Sequence, residues 1–375
     1  MKFTTLYHLI FIVKIKIIMK VSILGNGLTS LALAKALANQ GIKVDIFSDQ
    51  KIRKNNKIQT LGISNANIDF FNENILNIKK LLWNVDKIEI FSESLENERL
   101  LNFKNDKKPL FSIIKNFELY NYLLMSLIKD KLVKFKKKID YKKLIKNNYK
   151  LIFNCDFHHS ISKKFFYKKI NKNYNSFAHI TTFKHKKLLN NNIASQIFTK
   201  IGPIAFLPIS ATETSVVYSI RGKKNIDLKN LIKKYNTKYN ILKINECLSF
   251  ELKSSNLRSY YHENIIAFGD LLHKLHPLAG QGFNMTIRDI KKILELIKFK
   301  NEHGLDLDIS ICSDFEKKTR TNNYLFSSGV DFIYEFFNFE SKIRNNNLSK
   351  FVKFVGKNKK VNELLTKFAD NGVVI

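Results

Sequence analysis

KVSILGNGLTSLALAKALANQGIKVDIF, residues 20–47, decides how this chain begins to fold. Lys20–Leu24 is a short apolar run that reads as a buried strand. It stops at Gly25-Asn26-Gly27, a tight turn. Leu28–Gln40 follows, rich in Ala and Leu at helical spacing, and Gly41 is a good helix stop. Val44–Phe47 is a second strand. Strand, glycine turn, helix and strand in that order open a βαβ unit.

The turn Gly25-Asn26-Gly27-Leu28-Thr29-Ser30 resembles the dinucleotide fingerprint, with Ser30 in the third glycine position. Gly25 serves the sharp turn, and Gly27 lets backbone approach a pyrophosphate. The helix start offers free N–H groups and a positive dipole end. An ordinary βα turn that needs glycine for its dihedrals would look the same. The fingerprint also expects an acidic residue at the end of the second strand, to hold ribose hydroxyls. That place falls on Ser48, and Asp49 follows it. Successive strand side chains face opposite sides, so Asp49 replaces a residue at 48 only if the strand end bulges or twists. Ser48 offers one hydrogen bond.

A second stretch, FGDLLHKLHPLAGQGFNMTIRDI at 268–290, carries far more information. A structural turn before a helix explains its glycines, but not His-Pro-Leu-Ala-Gly-Gln-Gly-x-Asn as a block. It closely resembles the second FAD motif of the FAD-dependent aromatic hydroxylases of ubiquinone biosynthesis, GDAAHxxHPLAGQGxNxGxxD. Gly269, Asp270, His273, His276, Pro277, Leu278, Ala279, Gly280, Gln281, Gly282, Asn284 and Asp289 match. Leu271, Leu272 and Thr286 depart. The resemblance implies that Gly269-Asp270 ends a strand and that the Asp270 carboxylate accepts hydrogen bonds from the ribityl hydroxyls of FAD. It implies that Pro277 through Asn284, with Gly280, Gln281 and Gly282, form a loop beside the flavin ring. A helix starting near Asn284 would aim its N–H groups at the flavin or the phosphates.

Supporting resemblances cover the rest of the chain from Met19. LIFNCDFHHSISKK, 151–164, resembles a family segment that contacts both flavin and electron donor. Asp156, Ser160 and Lys163 match, and Phe157 replaces the usual glycine. IASQIFTKIGPIAFLPIS, 193–210, resembles the sheet wall over the flavin, and its two prolines suit an edge or a bend, not a central strand. KIQTLGIS, 57–64, keeps Thr60 and Ser64 but has Gln59 where Arg is usual, and the aromatic helices around Phe332–Phe339 resemble the family tail. Tyr149–Phe153 reads as a strand and Phe117–Lys129 as a helix. The expected fold class is α/β: a glutathione-reductase-like FAD-binding Rossmann domain interleaved with a mixed β-sheet substrate domain and a helical C-terminus. The FAD-binding parts fall at about 19–70, 100–165 and 258–300. The β-sheet part falls at about 70–100 and 175–257, with C-terminal helices at 301–375.

The chemistry implied is hydroxylation of a polyprenylated phenol, with FAD as cofactor and NAD(P)H or another donor supplying electrons. The flavin does the difficult step, so no side chain is nominated as catalytic. His273 and His276 suggest structural roles, or a phenol base, more than a metal site, and no metal is expected. Two other readings stay open: a related flavoprotein reductase of isoprenoids, and a non-catalytic accessory flavoprotein of a quinone-synthesis complex.

Composition narrows the partners. The 375 residues carry 64 Lys+Arg against 32 Asp+Glu, a net charge of +32. The lysines are spread along the chain among Asn and Ile with no zinc-finger or RNP-type signature, so no nucleic acid is expected. A basic surface suits peripheral contact with the inner face of a membrane, from a cytoplasmic location. Three unpatterned cysteines fit a reducing compartment. Residues 1–18 are apolar but interrupted by Lys14 and Lys16, too short to span a bilayer and without a cleavage site. They read as a β-like arm or, preferably, as a stretch upstream of a true start at Met19.

Overall fold

The computed structural model describes residues 19–49, 58–95, 98–104, 108–222, 225–276 and 281–343, the side chains of 94, 333 and 336–343 excepted. The expectations for residues 1–18, for residues 277–280 and for the aromatic side chains beyond residue 335 lie outside that description.

The first third runs β1 (Lys20–Leu24), α1 (Leu28–Asn39), β2 (Lys43–Ser48), β3 (Thr60–Ser64), α2 (Asn65–Asn74), β4 (Trp83–Val85), β5 (Lys87–Ser92), β6 (Glu98–Lys104), β7 (Phe111–Lys115) and α3 (Asn116–Ile128). Then come β8 (Val133–Lys137), α4 (Tyr141–Ile145), β9 (Ile152–Asn154), α5 (Ser160–Phe165), β10 (Lys169–His185), β11 (Ile193–Thr199), β12 (Gly202–Pro208) and β13 (Glu213–Arg221). The last part holds α6 (Leu228–Tyr235), β14 (Ile241–Ile244), β15 (Leu248–Leu257), β16 (Tyr261–His262), β17 (Ile265–Ala267), β18 (His273–Lys274), α7 (Gly282–Glu302) and α8 (Ile309–Ile343).

The opening βαβ reading holds. β1 and β2 pair in parallel, with Leu24 beside Phe47. Small side chains at Ala32, Ala34, Ala36 and Ala38 let α1 lie close to the sheet, and all four are buried. The sheet has six strands in the order β16-β17-β9-β1-β2-β8. Its five inner and outer strands from β17 to β8 are parallel, and β16 is antiparallel at one edge. Val21, Ile23, Ile152, Phe153, Ile265 and Ile266 are buried, which explains why these strands are continuously apolar. The expected strand at Tyr149–Phe153 starts later, at Ile152. Asn148 takes left-handed backbone (φ 48), so the chain is still turning at Tyr149.

The second sheet has nine strands, ordered β18-β15-β10-β13-β12-β11-β5-β6, with β14 also pairing β10. A third, of three strands ordered β3-β7-β4, is drawn from the chain between β2 and β8. Thr60 and Ser215 hydroxyls, 3.1 Å apart, and the Lys115–Glu213 ion pair at 2.8 Å tie it to β13. The expectation that the two prolines mark an edge or bend fails, because β12 lies between β11 and β13. Register explains it. Pro203 sits opposite Phe198 of β11, before pairing with β13 begins at Ile204. Pro208 sits opposite Thr214 of β13, after pairing with β11 ends. Each proline thus has a paired neighbour on one side only, and its missing N–H leaves no gap in the ladder. Helices α7 and α8 close the described chain and bear out its helical C-terminal part. Among the described residues no helix is long and apolar enough to cross a membrane.

Candidate functional site

Parallel strands end together. Register aligns Leu24, Phe47, Asn154 and Ala267 at one edge of the six-stranded sheet. The loops leaving that edge are therefore Gly25–Gly27, Ser48-Asp49, Cys155–His159 and Phe268–Asp270. Each of these stretches stands out separately in the sequence. Ligands of open α/β sheets bind outside the carboxyl ends of the strands, and this is that position.

Close approach holds the two glycine motifs against each other. Gly25 has φ 108, and its N–H donates to the Phe47 carbonyl at 2.8 Å. Gly269 has φ 64, and a Cβ there would lie 2.7 Å from the Thr29 side chain. Both positions therefore require glycine, and the second requires it because α1's first turn is pressed against it. Gly27 caps α1 with no side-chain acceptor on the first-turn N–H groups. Ser30 is buried inside that turn.

The acidic residues lie around this junction. Asp270 is exposed. Asp270 and Asp156 both act electrostatically on the Cys155 thiol, which burial pushes up to about 12. Asp156 accepts from the His158 N–H at 2.9 Å and lies 3.6 Å from Lys138 Nζ. The same ammonium reaches Asp49 at 3.3 Å. Lys138 is a residue the sequence reading missed. Its only signal is that β8 adjoins β2 in the sheet, and strand order is not written in a single sequence. Ser48 is half-buried at the end of β2, while the Asp49 side chain is largely exposed and held by Lys138.

Phe157, in place of the usual glycine, is accommodated without left-handed backbone. Its ring is half exposed, with Lys169 Nζ 3.9 Å from the ring centroid. Gln59 Oε1 accepts from Asn116 Nδ2 at 3.4 Å, and its carbonyl from Asn116 N at 3.0 Å, which ties β3 to the start of α3.

The second motif splits between holding and facing. α7 begins at Gly282, with Gln281 as its cap, two residues before the expected start. Gln281 Oε1 is buried and has no hydrogen-bond partner among the described residues. Asn284 is buried and engaged inside the protein. Its Oδ1 accepts from Ser64 N at 3.0 Å and Asn67 Nδ2 at 2.9 Å, and its Nδ2 donates to the Gly62 carbonyl at 2.9 Å. Its side chain thus binds the start of α7 to β3 and α2. Neither histidine is offered to a substrate. His273 Nε2 lies 2.5 Å from Asp289 Oδ2, both fully buried. His276 is buried between the rings of Tyr174 and Tyr334, and burial holds its pKa at about 3. No group of acidic, His or Cys side chains fit for a metal occurs among the described residues.

These features fit a dinucleotide such as FAD: a glycine cradle that a Cβ would fill, uncapped N–H groups at a twelve-residue helix, and acceptors at the strand ends.

No protein-family model matches the chain. The mitochondrial ubiquinone biosynthesis monooxygenase COQ6 of Schizosaccharomyces pombe is 24% identical to it over 86% of each chain. The chain is a distant relative of the ubiquinone-biosynthesis monooxygenases. Its fold is that of FAD-dependent aromatic monooxygenases. p-Nitrophenol 4-monooxygenase PnpA of Pseudomonas putida superposes with a TM-score of 0.78 at 12% identity, over 96% of this chain and 99% of that one. HpxO of Klebsiella pneumoniae, solved with FAD and uric acid, gives 0.71 at 12% identity, over 94% and 97%.

Proposed function

We propose that this protein is an FAD-dependent hydroxylase acting on the aromatic ring of a polyprenylated phenol in ubiquinone biosynthesis. The observation that carries this reading is the contact between Gly269 and Thr29, which brings the two FAD-type motifs to one strand edge. FAD would be held at its pyrophosphate by the first-turn N–H groups of α1, near Gly25 and Gly27. Ser48 would take an adenosine-ribose hydroxyl, with the Lys138 cation close by. Asp270 would accept from the ribityl hydroxyls. Pro277, Gly280, Gln281 and Gly282 would flank the ring, with Asn284 securing the helix behind them.

Bound flavin supplies oxygen activation, using two electrons from NAD(P)H or another donor to place one oxygen atom on the ring and release the other as water. The protein's share is orientation and exclusion of water. The nine-stranded sheet would wall the substrate space, with Thr60 and Ser64 on the short strand between the lobes. Both motif histidines are committed to the fold, so no side-chain base is assigned. The polyprenyl tail gives the basic surface a use, since lysines draw a protein to anionic headgroups.

Two measurements test the reading. The purified wild type is expected to be yellow, and Asp270→Ala to retain well under half of the wild-type flavin. Equal loading would show that the carboxylate does not hold the cofactor. Incubation with a polyprenyl phenol under labelled oxygen is expected to add one labelled atom to the ring. A reduced, unlabelled product would instead establish an isoprenoid reductase.

A further inference from the structure

One face of α8 packs against Leu275, His276 and Met285, described residues on either side of positions 277–280. Asn323, Phe326, Ser327, Val330, Asp331 and Tyr334 follow the i, i+3, i+4, i+7, i+8, i+11 spacing of a single helical stripe. Asn323 Nδ2 donates to Asp289 at 3.0 Å, beneath His273. Phe326 and Val330 pack on Leu275 and Met285, on either side of the loop. Ser327 accepts from Asn256 Nδ2 at 2.8 Å.

The last two positions close on His276, the residue that directly precedes the loop. The Tyr334 and Tyr174 ring centroids lie 4.3 Å and 4.7 Å from that of the imidazole, and the two tyrosines meet each other at 5.1 Å. Tyr174 hydroxyl donates to the Asp331 carboxylate, and Tyr334 hydroxyl lies 2.7 Å from Ser176 Oγ. Burial raises both the Tyr174 phenol and the Asp331 carboxyl above their ordinary ranges. The phenol therefore stays a donor throughout the working pH range. A patch that merely docked a helix would need only the apolar part of this stripe. Here two hydroxyls and a carboxylate are spent on fixing the rings that hold one imidazole.

We propose that Asp331 and Tyr334 are positioning residues for the flavin: through Tyr174 and His276, and through the Leu275–Met285 packing beside them, they fix the chain just before residue 277 and the start of α7 at Gly282, the two described ends of the second motif. This rests on the FAD reading above. The test uses the full chain loaded with FAD, comparing wild type with Tyr174→Phe, Asp331→Leu and Asp331→Asn. Measured are the visible spectrum of the bound flavin, its release rate and the thermal midpoint. Tyr174→Phe and Asp331→Leu are expected to shift the bound spectrum and speed FAD release about two- to tenfold, the equivalent of one net hydrogen bond. Asp331→Asn keeps an acceptor for the phenol and is expected to restore wild-type release. A lowered midpoint with unchanged spectrum and release in both variants would overturn the proposal, leaving α8 a simple prop. If Tyr174→Phe does not fold, Tyr334→Phe, which loses only the bond to Ser176, carries the same expectation. A wild type that takes up no FAD would sink the FAD reading as well, whereas wild-type release in the variants sinks this proposal alone.

Discussion

His276 is uncharged at neutral pH, because burial holds its pKa near 3 against an ordinary value of 6.5. Between those values the unfolded chain binds the proton and the folded chain does not. Stability is therefore fully present above pH 6.5 and drains away as pH falls toward 3. Going from pH 7 to pH 5 should cost about 2 kcal/mol from this residue alone. Urea midpoints at the two pH values should show that loss in wild type and a much smaller one in His276→Asn. Equal losses would mean the imidazole is not sealed. At this scale the sequence was informative about identity and poor about direction. Gly25 and Gly269 could be read from residue type, because their left-handed backbone favours glycine. Asn284 belongs to the same motif, yet its amide turns inward from α7 to Gly62, Ser64 and Asn67. A motif gives a residue's address, and side-chain direction follows from tertiary neighbours that the motif does not contain.

Among the elements, β12 is the instructive one. Its prolines argued against a central strand, and the argument failed because strand pairing is staggered. Each proline falls where only one neighbour is paired, and that offset is invisible without the partners' register. The middle of β12 has no such freedom. Ala205 faces Gln196 on one side and Val217 on the other. Ala205→Pro should therefore remove a ladder bond, leave its partner unpaired and cost about 1–3 kcal/mol. Pro203→Ala and Pro208→Ala should each stay within about 1 kcal/mol. Chemical unfolding of the three variants checks this, and a tolerated Ala205→Pro would refute the register. Helix α1 and strands β1 and β2 were legible because local chemistry agrees at every step, with glycines at the turn and small residues on the packed helix. The stripe on α8 escaped notice because its polar members look like an ordinary solvated face until their partners are known.

For the molecule as a whole, the site belongs to no single stretch. Its loops follow β1, β2, β9 and β17, and the intervening chain builds most of the nine-stranded sheet. A ligand that bridges such loops stabilises all of them together. FAD at a hundredfold excess over its dissociation constant should add about 2.7 kcal/mol and raise the unfolding midpoint of the entire protein. Differential scanning calorimetry with and without FAD tests this. Two separate transitions, only one responding to FAD, would show that the lobes do not share a fate. The interleaving was foreseeable from motif positions, since two halves of one site lay far apart in sequence. The strand order that joins them was not.

That strand order also sets a timetable. In the finished sheet β9 pairs with β1 on one side, and its other neighbour, β17, is Ile265–Ala267, more than a hundred residues later in synthesis. Until the ribosome has supplied those residues, the buried apolar strand Ile152–Asn154 must wait with one edge bare. Such an edge invites pairing with a foreign chain. A nascent protein of this design should depend on chaperones through that interval, and truncation before residue 265 should give inclusion bodies instead of a smaller folded product.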